Sequence, residues 1–479
     1  MKQTSRHRTR RDTKHQMSTP GSRSKNHVAK ASRHSKASRP KQSIGSTLAR
    51  RARRLNTATK PATKPATKVP TAQHSKHRSP TSVATWVLKW RGVSTATAIL
   101  IVVALLCVIG LVMVGSASEA ISIALYGSAW SIFIREAMWM VLGFVVLMLA
   151  AKINFSKWRK FIPLIFTISV VLLVLVLVPG IGIRVQGSSR WIGFSALRIQ
   201  PSELMKLTLV LFGTDLLTRK LDAGVPERRI LGPLLTASVL TGVLVLLQPD
   251  LGTTVVIGCI TLALLLGSGV SIRPLVKVGA WIVGIGLVAA IVSPYRRARL
   301  LSFINPSAHS STSGYQVMQS LIGMGSGSIF GLGLGSGRQK WGYLPNAQTD
   351  FIFSVIGQEL GLIGALVVLI LLGILIWLGF RAALRAPDRF SALLALGLVA
   401  WIASEAIINV GAVIGLLPVT GIPLPFISYG GSSLVITMFA AGLLINIARR
   451  ETLVKPKGAS SGSTYRPNRE RALLGSRTR

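Results

Sequence analysis

The sequence predicts an all-α integral membrane protein with about ten transmembrane helices, both termini in the cytoplasm, and a large extracytoplasmic loop between helices 7 and 8. Three observations predict this class. Of the 479 residues, 49% are hydrophobic and 15% are charged, with a mean hydropathy of +0.52, whereas soluble domains are about 25% charged. Apolar segments long enough to cross a bilayer recur along the chain. Basic residues gather on alternate loops between those segments.

Residues 1–92 are predicted to form a basic cytoplasmic tail. Residues 1–91 hold 24 of the 56 Lys and Arg residues, against one acid, Asp12. Their Ser, Thr, Pro and Ala content buries too little apolar surface to offset the lost chain entropy, so we expect disorder here and in a second basic tail at 451–479. We expect the first tail to be drawn to anionic lipid headgroups or to dock a cytosolic partner. No nucleic-acid partner is expected, because no nucleic-acid-binding fold accompanies the charge.

The membrane domain is predicted to span 93–450. Its ten helices are predicted near 95–115, 134–151, 160–179, 201–217, 230–247, 252–271, 274–292, 351–380, 390–416 and 426–448. Basic loops at 152–160, 219–229, 381–389 and 449–457 fall on the side of the N-terminus, which makes that side cytoplasmic. The extracytoplasmic loops are then 116–133, 180–200, 248–251, 293–350 and 417–425.

The chain has only 14 carboxylates, and most lie in tails or cytoplasmic loops. Charged groups close to a bilayer are costly, so each remaining carboxylate is a functional candidate. Two structural alternatives stay open. Glu203 is placed to pair with Lys206 one helical turn on, and Asp250 is placed to cap the helix that follows it. The candidates are Glu136, Glu203, Asp250, Asp350, Glu359 and Glu405.

The segment from Gly314 to Glu359 is polar and glycine-rich and lies between two apolar segments. Its glycines lack the strand–helix context of a nucleotide site. They fit a loop pressed against lipid headgroups or backbone, with Lys340 placed for an anionic group. Asp350 stands where the polar loop meets the apolar run FIFSVIG. A carboxylate at such a boundary suits a general base, although a Thr-Asp pair at a helix start is also an ordinary cap.

Two other outer loops carry polar groups. The GSSRW segment at 187–191 offers backbone amides, hydroxyls and Arg190 to a phosphate or a sugar. Trp191 suits stacking on a sugar or anchoring at the membrane interface. The loop at 417–433 has three prolines, then a hydroxyl-rich approach to the last helix. Non-helical backbone at membrane depth is tolerated where it is buried or lines a cavity, so we predict a cavity floor here.

Six motifs together resemble those of one family. They are GSSRWI at 187–192, QPSELMK at 200–206, QPDLGT at 248–253, GYQ…QS at 314–320, QKWGYLPNAQTDFIFSVIGQELG at 339–361 and GLLPVTGIPLPFISYGGSS at 415–433. In this combination, residues 95–450 resemble the SEDS family of bacterial cell-shape and division proteins. The resemblance implies ten helices with cytoplasmic termini.

It also implies a peptidoglycan glycosyltransferase that polymerises lipid II, a disaccharide–pentapeptide on undecaprenyl diphosphate, at the outer face of the cytoplasmic membrane. The family's essential aspartate maps onto Asp350, which would take the proton of the attacking sugar 4-hydroxyl. Many members carry His two residues earlier, where this chain has Gln348, so no His–Asp dyad is expected. Candidate cations for the leaving diphosphate are Arg190, Lys206, Lys340, Arg296, Arg297 and Arg299.

An α-linked donor and a β-linked product imply inversion, which needs no covalent enzyme intermediate. A divalent cation, Mg²⁺ or Mn²⁺, between diphosphate and Asp350 is compatible with this chemistry. The sequence shows no closed metal site and indicates no organic cofactor. We assign substrate binding to residues of the motifs: Arg190, Trp191, Gln200, Ser202, Glu203, Lys206, Gln248, Asp250, Tyr315, Gln316, Gln319, Ser320, Lys340, Glu359, Ser428, Tyr429, Gly430, Gly431 and Ser432.

Within the family, YRRARLLSFINP at 295–306, the sequence around Asp350 and the long basic tail favour the division branch over the elongation branch. The resemblance then implies a class B penicillin-binding protein and other division membrane proteins as partners, at the septum. Two alternatives from other classes stay open. A lipid II flippase would line polar groups from face to face of the membrane. A non-catalytic division scaffold would have no need of a carboxylate at 350.

Overall fold

A computed structural model describes residues 93–154, 158–185, 188–194, 197–292 and 313–451, with Arg297 and Phe303 between the last two ranges. The predicted tail at 1–92, the predicted second tail beyond Glu451, and the candidate cations Arg296 and Arg299 lie outside the described residues.

The described chain is mainly helical. Its helices are α1 Thr95–Tyr126, α2 Ser131–Ala150, α3 Ile162–Leu177, α4 Pro201–Asp222, α5 Glu227–Leu247, α6 Leu251–Gly267, α7 Ile272–Val292, α8 Ser313–Ser326, α9 Ile352–Glu359, α10 Gly361–Leu384, α11 Arg389–Val413 and α12 Ser432–Glu451. Every predicted apolar segment coincides with at least one of them, which confirms the helical class.

Seven described helices have the length and composition to cross a membrane: α1, α2, α3, α5, α10, α11 and α12. The helix α6 is apolar but has only 17 residues. The helix α4 carries Glu203, Lys206 and Asp215 within its length. The multi-pass class is therefore confirmed, whereas the count of ten crossings and the side of each loop stay predictions.

The predicted helix 351–380 is wrong as a single element. A break at Leu360 separates α9 from α10, and Gly361 there has a φ of +69°, which favours glycine. A long-range contact fixes the break, because the amides of Leu332 and Gly333 donate to the carbonyls of Gln358 and Glu359, both at 3.0 Å. The glycine-rich loop thus satisfies the free carbonyls at the end of α9.

Three other boundaries differ from prediction. The predicted loop 293–350 contains a helix, α8, whose apolar positions are interspersed with Gly, Ser and Gln. The helix α1 continues to Tyr126, so the predicted loop 116–133 is mostly helix. The last helix begins at Ser432 rather than near 426, since the prolines and glycines before it form turns.

The predicted loop at 180–200 contains a small antiparallel sheet of three strands in the order β1-β2-β3. The strands are β1 Ile183–Val185, β2 Ser188–Phe194 and β3 Leu197–Ile199. Ile183 pairs with Trp191, and Ile192 pairs with Ile199. The sheet gives Arg190, in the middle of β2, a fixed backbone.

The helices α11 and α12 form the centre of the bundle. Within their apolar windows 72% and 78% of residues are buried, against 22% for α2 and 28% for α3. The loop between α11 and α12 is also buried at Leu424 and Phe426. A Cβ atom on Gly110 of α1 would lie 2.7 Å from Ile427 Cα. This loop is therefore packed inside the protein, as non-helical backbone at membrane depth requires.

Candidate functional site

Asp350 lies in a turn just before α9. The turn starts at Asn346, whose carbonyl accepts from the amides of Thr349 and Phe351 at 3.1 and 3.4 Å. The N-cap position of α9 is Phe351, without a side-chain cap bond, so Asp350 is not the cap of this helix. Asp350 is half-buried beside a small cavity that Asn409 and Gly421 also line. The capping alternative for Asp350 is therefore wrong, and its carboxylate borders a cavity.

Arg190 and Asp350 meet at one glycine. From the position that a Cβ atom on Gly421 would take, Asp350 Oδ2 lies 3.5 Å away and Arg190 Nη1 lies 3.9 Å away. Gly421 has a φ of +78° and no side chain, so it leaves room between the strand β2 and the Asp350 turn. The sequence separates these three residues widely, and the fold brings them together.

The QPDLG turn holds Arg190 in place. Arg190 Nε donates to Gln248 O at 3.3 Å, Nη2 donates to Pro249 O, and Nη1 lies 3.8 Å from Asp250 Oδ2. Asp250 caps α6 by accepting from Thr253 N at 3.1 Å, which confirms the capping alternative. The side chain of Gln248 is buried and donates to Leu173 O on α3 at 3.1 Å. Gln248 and Asp250 therefore support the guanidinium of Arg190.

The loop between α11 and α12 is tied to the segment before Asp350. Ser428 Oγ donates to Thr349 O at 2.7 Å, and Tyr429 N donates to Gln348 O at 2.9 Å. Burial raises the pKa of the Tyr429 hydroxyl, so this phenol is neutral at physiological pH. Predicted site residues of two distant motifs thus adjoin the residue proposed as the base.

A buried charge cluster joins α4, α11 and α12. Lys206 Nζ donates to Glu203 at 2.7 Å, which confirms their predicted pairing, and also to Glu405. Ser433 Oγ donates to the other oxygen of Glu203 at 2.8 Å. Lys206, Glu203 and Glu405 are each at most 2% exposed. Lys206 is therefore paired with two carboxylates and links α4 to the central helix α11.

A second charge cluster anchors the glycine-rich loop. Glu359 accepts from Ser116 Oγ of α1 and from the amides of Gly335 and Gly337, at 2.6 to 3.3 Å. Lys340 Nζ donates to Glu119 at 2.8 Å and lies 3.9 Å from Glu359. The side chains of Lys340 and Glu359 are fully buried. Two glycines of this loop, Gly327 and Gly331, are packed against the backbone of residues 357–361, which is one of the two predicted alternatives.

The remaining predicted site residues take three positions. Gln200 donates from its amide to Ser432 Oγ at 3.4 Å and from its side chain to Ser202 at 3.0 Å, which joins α4 to α12. Gly430 and Gly431 form the turn before α12, and Trp191 is half-buried on β2.

Four predicted site residues lie on α8. Ser320 is buried and donates to Val413 O at 2.9 Å, whereas three others are half-buried: Tyr315, Gln316 and Gln319.

Two buried residues of the site were not predicted as site residues. Glu405 was a candidate carboxylate without an assigned role, and Asn409 was not considered. The side chain of Asn409 donates to Asp350 O at 2.8 Å and to Ile422 O at 2.7 Å. Glu405 and Asn409 lie four residues apart on α11. A polar pair at this spacing inside an apolar span was the signal in the sequence that could have identified them.

Among the described residues, no three His, Cys, Asp or Glu side chains come together as a metal site. A divalent cation with bound waters needs only one or two carboxylates when substrate phosphates supply further ligands. Asp350 at the cavity rim fits that requirement as a single carboxylate.

The family model described as "Cell cycle protein", for FtsW, RodA and SpoVE, matches residues 96–453. The chain belongs to this family. It is 41% identical to stage V sporulation protein E of Bacillus subtilis over 355 residues, which cover 73% of this chain and 96% of that protein. It is also 41% identical to the probable peptidoglycan glycosyltransferase FtsW of Coxiella burnetii over 348 residues, which cover 72% and 93% of the two chains.

Solved structures share the fold. One is a chain from a study of how a peptidoglycan synthase complex coordinates polymerisation and crosslinking. It matches at a TM-score of 0.59 with 26% identity, covering 74% of this chain and 97% of that chain. The other is the rod shape determining protein RodA of Thermus thermophilus, at a TM-score of 0.55 with 26% identity, covering 76% and 99%. The prediction of SEDS family membership is therefore confirmed.

Proposed function

We propose that this chain is a peptidoglycan glycosyltransferase of the division branch, which polymerises lipid II at the outer face of the cytoplasmic membrane. Relatives named as probable peptidoglycan glycosyltransferases support the activity. The observation that carries the mechanism is the approach of Asp350 and Arg190 to the same glycine, Gly421, beside a cavity.

Asp350 and Arg190 have different roles in the proposed reaction. The Asp350 carboxylate takes the proton of the acceptor sugar 4-hydroxyl as that oxygen attacks the anomeric carbon of the donor. The Arg190 guanidinium faces the departing diphosphate and stabilises its charge. A displacement of this kind inverts the anomeric centre in one step. A divalent cation, when bound, would add charge stabilisation at the diphosphate, and Asp350 would be its protein ligand.

The supporting groups hold these two in place. Gln248, Pro249 and Asp250 orient Arg190, while Asn409 and Ser428 hold the backbone on either side of the Asp350 carboxylate. A base and a cation fixed to rigid elements need no rearrangement as charge develops. This arrangement favours an enzyme over a scaffold, which requires no fixed carboxylate at a cavity.

The relatives support a partner and a place in the cell. The match to a chain of a peptidoglycan synthase complex, in which polymerisation and crosslinking are coordinated, supports a class B penicillin-binding protein as partner. Relatives of the FtsW type support action at the division septum with other division membrane proteins. The basic tail would then contact anionic lipid headgroups of the inner leaflet.

The test is reconstitution. The protein, with a class B penicillin-binding protein, is placed in liposomes that contain lipid II, and glycan polymer and lipid translocation are measured separately. Polymer formed by wild-type protein supports the proposal. Translocation without polymer would instead establish a flippase, and neither product, with the partner bound and Mg²⁺ or Mn²⁺ supplied, would leave a scaffold.

A further inference from the structure

Glu136 is a buried carboxylate that the mechanism above does not use. It lies in the second turn of α2 and is 3% exposed, although most of α2 faces outward. Its carboxylate faces the backbone N–H groups of Gly430 and Gly431. Its Oε2 atom has no hydrogen-bond partner within the described part of the chain. A carboxylate placed at such cost in a membrane helix indicates a function.

The turn that Glu136 contacts is the turn that holds the Asp350 segment. Gly431 has a φ of +47°, and a Cβ atom on it would lie 3.1 Å from Trp139 Nε1, one helical turn beyond Glu136. The helix α2 therefore packs directly against the turn. Two residues earlier, Tyr429 N donates to Gln348 O, and Ser428 Oγ donates to Thr349 O.

We propose that Glu136 is a positioning residue, which fixes the Ser428–Gly431 turn and, through it, the Gln348–Asp350 segment. A carboxyl group that accepts from two consecutive backbone N–H groups holds the turn in one conformation. The two hydrogen bonds from Ser428 and Tyr429 carry that restraint to the residues next to Asp350. The catalytic consequence rests on the proposed glycosyltransferase function, whereas the structural link does not.

Hydrogen–deuterium exchange tests the link without reference to activity. In Glu136→Gln, which keeps the shape but replaces one acceptor oxygen with an NH₂ group that cannot accept, we expect faster exchange in peptides that contain 428–431 and 348–351. The matched control is Asn446→Ala. Asn446 donates to Ala150 O and Ile153 O and so ties the opposite end of α12 to α2 and the residues just after it. We expect this control to leave exchange at 348–351 unchanged.

Two results would overturn the proposal. One is unchanged exchange at both segments in Glu136→Gln, and the other is an equal increase in the Asn446→Ala control. If Glu136→Gln does not fold, Glu136→Asp, which keeps the charge and shortens the side chain, takes its place with the same expectation.

Kinetics give a second readout where wild-type protein polymerises lipid II. Misplacing a base lowers kcat more than it changes KM, so we expect Glu136→Gln to lose roughly tenfold or more in kcat at a similar KM. A mainly raised KM would assign Glu136 to substrate binding and contradict a positioning role. Absence of activity in wild-type protein would count against the proposed function and leave the exchange result decisive for the link.

Discussion

The side-chain amide of Asn409 donates to the backbone carbonyl of Asp350 at 2.8 Å, and the same nitrogen donates to Ile422 O at 2.7 Å. One buried side chain on the central helix α11 therefore sets the spacing between the Asp350 turn and the loop that carries Gly421. Because Arg190 reaches the same glycine, this spacing also sets where Asp350 stands relative to Arg190.

Asn409→Ala is expected to lower activity more than stability. Leaving the buried Ile422 carbonyl and the part-buried Asp350 carbonyl without this donor costs ~1–3 kcal/mol. Where that cost falls on the geometry of Asp350, it corresponds to about 5- to 150-fold in kcat. Ser404→Ala is the control on the same helix, since within the described part of the chain the Ser404 hydroxyl donates to Trp401 O of α11 itself. Lipid II polymerisation and thermal unfolding are measured for both variants. Equal losses of activity in the two would contradict the role of Asn409.

Two glycine-to-alanine substitutions distinguish a position where a Cβ atom would clash from one where only helix propensity changes. Gly331→Ala should destabilise the protein strongly, because its φ is +83° and the new Cβ would lie 2.2 Å from Glu359 O. Gly325→Ala should be neutral or stabilising by up to ~1 kcal/mol, since Gly325 lies in α8 with nothing within 4 Å of its Cβ position. Thermal unfolding compares them. A tolerated Gly331→Ala would disprove the close packing of the loop against the α9–α10 break.

The two carboxylates beside Lys340 should contribute unequally to the stability of the protein. Glu359→Gln removes one charge of the fully buried Lys340–Glu359 pair and should cost ~3–5 kcal/mol. Glu119→Gln, with a side chain 40% exposed, should cost at most about 1 kcal/mol after solvent screening. Denaturation midpoints measure both. Similar losses for both variants would show that the ion pair, rather than the anchoring of Gly335 and Gly337, is what Glu359 contributes.

The buried cluster on α4 and α11 should behave as one unit. Lys206→Met leaves Glu203 and Glu405 facing each other and should cost ~3–5 kcal/mol. Adding Glu203→Gln and Glu405→Gln to that variant removes the repulsion and should restore much of the stability. Thermal unfolding of the single and triple variants measures whether the stability is restored. Additive losses in the triple variant would contradict the coupling of the three residues.

The sequence predicted most of the helices, because a bilayer demands long apolar runs that composition reveals directly. It also predicted the Glu203–Lys206 pair and the Asp250 cap, since both depend on neighbours three residues apart. The break at Leu360 was missed although Gln358 and Glu359 interrupt the apolar run, because its cause, packing of Gly331 and its neighbours, comes from a distant loop. The contacts of Lys206 with Glu405 and of Asn409 with Asp350 were missed for the same reason, because each joins residues that are far apart in the sequence.

The most direct measurement compares two aspartates: Asp350, which lines the cavity with Gly421, and Asp250, which lies beside Arg190. Glycan polymer from lipid II is measured for wild type, Asp350→Asn and Asp250→Asn, each with the class B penicillin-binding protein and each checked by thermal unfolding. Losing a general base costs about 10²–10⁴-fold, so Asp350→Asn should form almost no polymer while remaining folded. Asp250→Asn should retain measurable activity, because Asn also caps helices well. Polymer formed by Asp350→Asn at the wild-type rate would contradict the assignment of Asp350 as the base.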